Sequence, residues 1–152
     1  LLMSVLGTSS SSRLYQRIRE ELGLVYEIES FSASYLEAGI LGVDMALSPR
    51  NEKKALREVF RIIDGFAASL TQRELARAKE QYLSGLIMNM ESTQSRAAQM
   101  GRGELLYNEV KSADEIMERV RAVTLESMKN CFRRRAVDPA GENALRREFR
   151  YA

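Results

Sequence analysis

From Ser48 to about Arg135 the sequence keeps a helical hydrophobic period almost without a break. This stretch narrows the choice of fold more than anything else in the chain. Only one segment ahead of it, Leu24 to Leu47, reads as β-structure. A chain built this way is α+β and two-layered: an antiparallel hairpin within a small sheet, packed against four or five helices. At 152 residues it is long enough to bury a sizeable core and fits one domain, residues 1–152. It opens on Leu1 inside what reads as structure, so a fragment of a longer protein is expected.

Local signals divide the chain. Leu1 to Leu6 reads as the end of a helix stopped by Gly7, and Thr8 to Ser12 as a small polar loop. Arg13 to Leu22 reads as a helix with Leu14, Ile18 and Leu22 on one face, Ser11 or Ser12 as its N-cap and Gly23 closing it. Leu24 to Tyr35 and Ile40 to Leu47 read as two strands around a turn. Leu41, Val43, Met45 and Leu47 should face the helices, with Gly42, Asp44 and Ala46 on a small face that leaves room above the sheet. Ser48 with Pro49 starts the helical region. Leu56, Val59, Phe60, Ile63, Phe66 and Leu70 form one stripe, and Leu75, Tyr82, Leu86 and Met90 the next. Thr71 with Glu74, and Ser112 with Glu115, are capping boxes; Ser92 and Thr124 are further caps. The helix from Ser92 is weakened by Gly101 and Gly103. Met128 and Phe132 mark a last helix, and the seven methionines read as core filling. Asp138 to Gly141 reads as a turn, and Asn143 to Ala152 as either a short strand or a polar helix.

Composition excludes several chemistries. The chain has no His and one Cys, Cys131. An ordinary zinc site cannot be assembled from it, nor a triad that needs a His base, nor an internal disulfide. The net charge of +2 arises in the tail, where residues 133–152 carry six Arg against three acids. This supports neither a nucleic-acid partner nor a membrane surface, and no apolar run reaches the length of a membrane span. Arg133 to Arg135 reads as a solvated helix C-terminus. An Arg-rich RNA-binding module would want aromatic stacking partners beside that run, and it has none. P-loop, G-x-S-x-G, S-x-x-K and EF-hand signatures are absent, and Gly101-Arg102-Gly103 is not a dinucleotide fingerprint.

The stretch Ser11 to Tyr35 carries the strongest signal. Ser12-Arg13-Leu14-Tyr15-Gln16 with Ile18-Arg19-Glu20, then Leu22-Gly23-Leu24-Val25-Tyr26, resembles the C-terminal half-unit of the M16 zinc metallopeptidases, the insulinase, pitrilysin and processing-peptidase group. Glu91-Ser92-Thr93, Glu104 to Tyr107, Asp114 to Ile116 and Val123-Thr124 are similar to its later helices, and the likeness runs from about Leu2 to Arg135. The resemblance implies a divided active site. A separate N-terminal-type half, on the same polypeptide or on a partner subunit, would carry H-x-x-E-H and the zinc. This half would hold no metal or other cofactor and would be inactive alone. It would contribute Arg19 and Tyr26 as contacts to a peptide substrate, Tyr26 also facing the oxyanion that peptide hydrolysis creates. A guanidinium and a phenol suit that task because both donate hydrogen bonds to oxygen. Arg13 and Arg17 could pair with Glu20 or Glu21. The same resemblance also accommodates a zinc-free, inactive scaffold or partner subunit. The chain departs from the pattern at Gly7 to Ser12, which is poorer in glycine than the family's loop, and at the Arg-rich end.

Overall fold

A computed structural model describes residues 1–34 and 39–136. The expected hairpin turn, the Asp138 turn and the segment Asn143 to Ala152 lie outside the described residues. The order of elements is α1 (Leu2–Leu6), a π-helix (Tyr15–Glu21), β1 (Glu27–Ser34), β2 (Gly39–Ala46), a 3-10 turn (Pro49–Asn51), α2 (Glu52–Ser69), α3 (Gln72–Met90), α4 (Thr93–Tyr107), α5 (Ala113–Ala122) and α6 (Leu125–Ala136). Helices thus outnumber the four or five expected, and the sheet among the described residues is the single hairpin.

The strands pair antiparallel, with Glu27 opposite Ala46, Ile28 opposite Met45 and Ser30 opposite Val43. The facing follows the alternation in the sequence: Ile28 and Ser30 are buried, and Val43, Met45 and Leu47 are half-buried against the core. Two expectations need correction. Leu41, opposite Ser32 near the turn end of the hairpin, is 36% exposed rather than covered. The small face is not empty, because the Phe31 ring lies over Gly42, so close that a Cβ there would meet its ring carbon at 2.4 Å.

The first helix forms where expected, but it winds as a π-helix over Tyr15–Glu21, with the wider bond from Leu22 N–H to the Arg17 carbonyl at 3.2 Å. Leu14 and Ile18 are fully buried and Leu22 half-buried, as the four-residue spacing predicts. Neither Ser11 nor Ser12 caps this helix through its side chain; Ser12 is buried with its hydroxyl unbonded. Gly23 ends it at φ +57, where a side chain is disfavoured. There the Gly23 and Leu24 N–H groups donate back to the carbonyls of Arg19 and Ile18.

The core joins Val5, Leu6, Leu14, Ile18, Ile28, Val59, Phe66, Leu75, Met128 and Phe132, with Phe66 and Phe132 rings 4.6 Å apart. Each such fully buried aliphatic or aromatic side chain stabilises the fold by roughly 1.5–3 kcal/mol. Both capping boxes form, at Thr71 with Glu74 and at Ser112 with Glu115, and Ser92 and Thr124 cap as expected. The stripes are less uniform: Phe60 and Tyr82 are exposed, and α4 has no buried residue. Methionine does not act throughout as core filling. Met128 does, whereas Met88 is 72% exposed and Met100 is also exposed.

Candidate functional site

The two residues singled out by the motif flank the passage from the π-helix into β1. Arg19 sits on the exposed side of the helix, opposite buried Ile18. Gly23 reverses the chain, and Leu24 and Val25 then plug into the core at 6% and 7% exposure. Asn51 Nδ2 donates to the Leu24 carbonyl at 3.0 Å, and the Tyr26 N–H donates to the Ala46 carbonyl at 2.8 Å. The backbone on either side of Tyr26 is therefore fixed, while its side chain projects outward, 74% exposed. Among the described residues the Tyr26 hydroxyl makes no hydrogen bond, and none joins Arg19 to Tyr26.

The three arginines of this stretch differ in their surroundings. Arg13 does not pair within its own helix as the spacing allows. It reaches across to α3, where Nε and Nη2 donate to both carboxylate oxygens of Glu74 at 2.6 and 2.8 Å. Its guanidinium also donates to the Ser69 hydroxyl and carbonyl and lies over the Phe66 ring, 5.1 Å from the centroid. Burial pushes the Glu74 carboxyl upward, but the bonds from Arg13 and Thr71 outweigh it and bring it down to about 2. Arg17 pairs with Glu21 at 2.5 Å, as expected, and faces Glu58 at 3.5 Å. The Glu21 bond leads in raising its guanidinium further above the usual range. Arg19 has no carboxylate partner among the described residues. Its Nη1 donates to the Tyr15 hydroxyl, and its guanidinium carbon lies over the Tyr15 ring, 4.7 Å from the centroid. Tyr15 belongs to the first motif block, and an aromatic and an arginine four apart on a helix are the sequence signal for this contact.

Two clefts among the described residues lie elsewhere. One of about 370 Å³ is lined by Leu1, Met3, Leu41, Met128 and Cys131, and one of about 560 Å³ lies between α3, α4 and α5. Arg19 and Tyr26 line neither, so they form an open surface rather than a pocket. Among the described residues no group of three or more His, Cys, Asp or Glu could hold a metal. The described residues therefore do not fit a zinc ion.

Helices stacked on an antiparallel hairpin, with Arg13 pinned to Glu74 across them, define an α+β domain. Comparison with known proteins places it. The family profile described as "Peptidase M16 inactive domain" matches residues 1–82. YmxG of Bacillus subtilis, named an uncharacterized zinc protease, is 37% identical over 131 residues, covering 83% of this chain and 31% of that protein. The chain belongs to the M16 peptidase family, as an inactive-type domain. The solved M16 inactive domain from Pseudomonas fluorescens shares the fold at TM-score 0.77 and 21% identity, covering 88% of this chain and 32% of that one. A chain of complex III from Candida albicans shares it at TM-score 0.74 and 18% identity, covering 88% and 34%. The chain spans about a third of the length of the curated relatives it matches.

Proposed function

We propose that this chain is the non-zinc half-unit of a zinc metalloendopeptidase, and that it supplies Arg19 and Tyr26 to a peptide held against a zinc-bearing half. The half that carries zinc is on the same polypeptide or on a partner subunit. The observation that supports this reading best is the sorting of the arginines. Among the described residues Arg13 and Arg17 pair with carboxylates, while Arg19 has no carboxylate partner and is exposed, as is Tyr26 seven residues further on. A guanidinium without a carboxylate is free to donate to peptide carbonyls, and a phenol with an unbonded hydroxyl is free to donate to an oxygen that gains charge. An open surface rather than a pocket agrees with a site completed only when two halves face each other.

The experiment is peptide cleavage by the complex of this chain with its zinc-bearing half. Arg19→Lys keeps the charge and loses the planar fork, so KM should rise about three- to tenfold. Unchanged KM would remove Arg19 from the site. A second reading, a zinc-free scaffold, has in its favour the likeness to the complex III chain, which at 18% identity carries the fold alone. An H-x-x-E-H sequence in the partner half separates the two, since only the peptidase needs it.

A further inference from the structure

We propose that Tyr15 is a positioning residue for Arg19: its ring and hydroxyl hold the guanidinium in the orientation from which it donates to the peptide. This rests on the assignment of Arg19 as a peptide contact. Arginine has five N–H donors in one plane and many rotamers, so an exposed arginine loses much freedom when it binds. Here the guanidinium carbon lies over the Tyr15 ring, 4.7 Å from its centroid, and Nη1 donates to the Tyr15 hydroxyl. Two contacts from one side chain restrict where the guanidinium can sit. Tyr15 can act as a support because it is itself half-buried and packed against the core.

The choice of an aromatic has a chemical consequence. The carboxylates at Arg13 and Arg17 also hold guanidinium groups, but they cancel the charge and compete with an incoming carbonyl. A phenol holds Arg19 while leaving its charge whole and its other N–H groups open. The four-residue spacing along the π-helix brings Tyr15 and Arg19 to the same side while Leu14 and Ile18 enter the core.

The test is a double-mutant cycle in the complex with the zinc-bearing half, read by KM and kcat on a fluorogenic peptide. Arg19→Gln should raise KM. Tyr15→Leu, which removes both ring and hydroxyl, should raise KM about fivefold with kcat little changed, and Tyr15→Phe, which keeps the ring, should recover part of the loss. In the Arg19→Gln background, Tyr15→Leu should change KM less than about twofold, because the support has nothing left to hold. If Arg19→Gln raises KM and Tyr15→Leu does not, or if the two effects multiply, Arg19 remains a peptide contact and the positioning role is overturned. If Arg19→Gln changes nothing, the peptide-contact assignment fails and takes this inference with it.

Discussion

Arg13 and Arg19 lie in one short stretch and end in opposite circumstances. The bidentate bond of Arg13 to Glu74 ties the π-helix to the start of α3, and the same carboxylate also accepts from the Thr71 N–H and hydroxyl. Removing either partner leaves a half-buried charge unpaired. Because Glu74 is held at about 2 when folded, against an ordinary 4.5, its contribution is fully present above 4.5. It is lost as pH falls through the folded value near 2. Urea denaturation should therefore show stability falling between pH 4.5 and about 2, and Glu74→Gln should flatten that part of the profile. Equal slopes in both proteins would mean that this pair does not couple to folding. Little of this was legible in the sequence. Glu74 was visible as a capping residue because its partner is three positions away, but its bond to Arg13 spans 61 positions and exists only once α3 is docked. Arg19 was found through its motif, and its stacking partner Tyr15 was within reach of a helical-spacing argument.

At the scale of elements, the hairpin is held by close approach as much as by its ladder. Gly7 packs so tightly on β1 that an added Cβ would lie 2.8 Å from the Ser30 nitrogen and 2.9 Å from its Cβ. The Ser30 N–H donates to the Gly7 carbonyl, and Thr8 Oγ1 to the Ser30 carbonyl. Gly7→Ala must push backbone apart, and a loss of about 1–3 kcal/mol in denaturant melts is expected. Wild-type stability in that variant would contradict the packing. The two faces of β2 give a second test. Val43→Asp places a charge among Ile28, Ser30 and the core, and should cost more than 2 kcal/mol, whereas Asp44→Asn changes an exposed side chain and should stay within about 0.5 kcal/mol. Equal costs would reverse the facing. Period-2 alternation revealed which side of β2 turns inward, because that depends only on neighbours in sequence. It could not reveal that Leu41 is left open or that Phe31 fills the space over Gly42. Both depend on the cross-strand register, which sets Phe31 opposite Gly42 and Leu41 opposite Ser32.

Across the whole molecule, burial is uneven. The core gathers where α1, the π-helix, the hairpin, α2, α6 and the first half of α3 meet, and α4 contributes no buried residue. Helical periodicity identified α2, α3 and α6, since each carries its own apolar stripe. It overstated the burial of Tyr82, Met88 and Met100, because a stripe records amphipathicity and not what covers it. The claim at the centre is that a chain without metal ligands completes a peptidase site by what it presents on an open surface. Tyr26→Phe tests this most directly, because Tyr26 is 74% exposed and the change removes one hydroxyl without touching the core. The measurement is kcat for a fluorogenic peptide in the complex with the zinc-bearing half, with the melting temperature as control. Loss of an oxyanion donor predicts kcat lower by roughly 100-fold at an unchanged melting temperature; an unchanged kcat would contradict this and leave Tyr26 a surface residue with no part in the reaction.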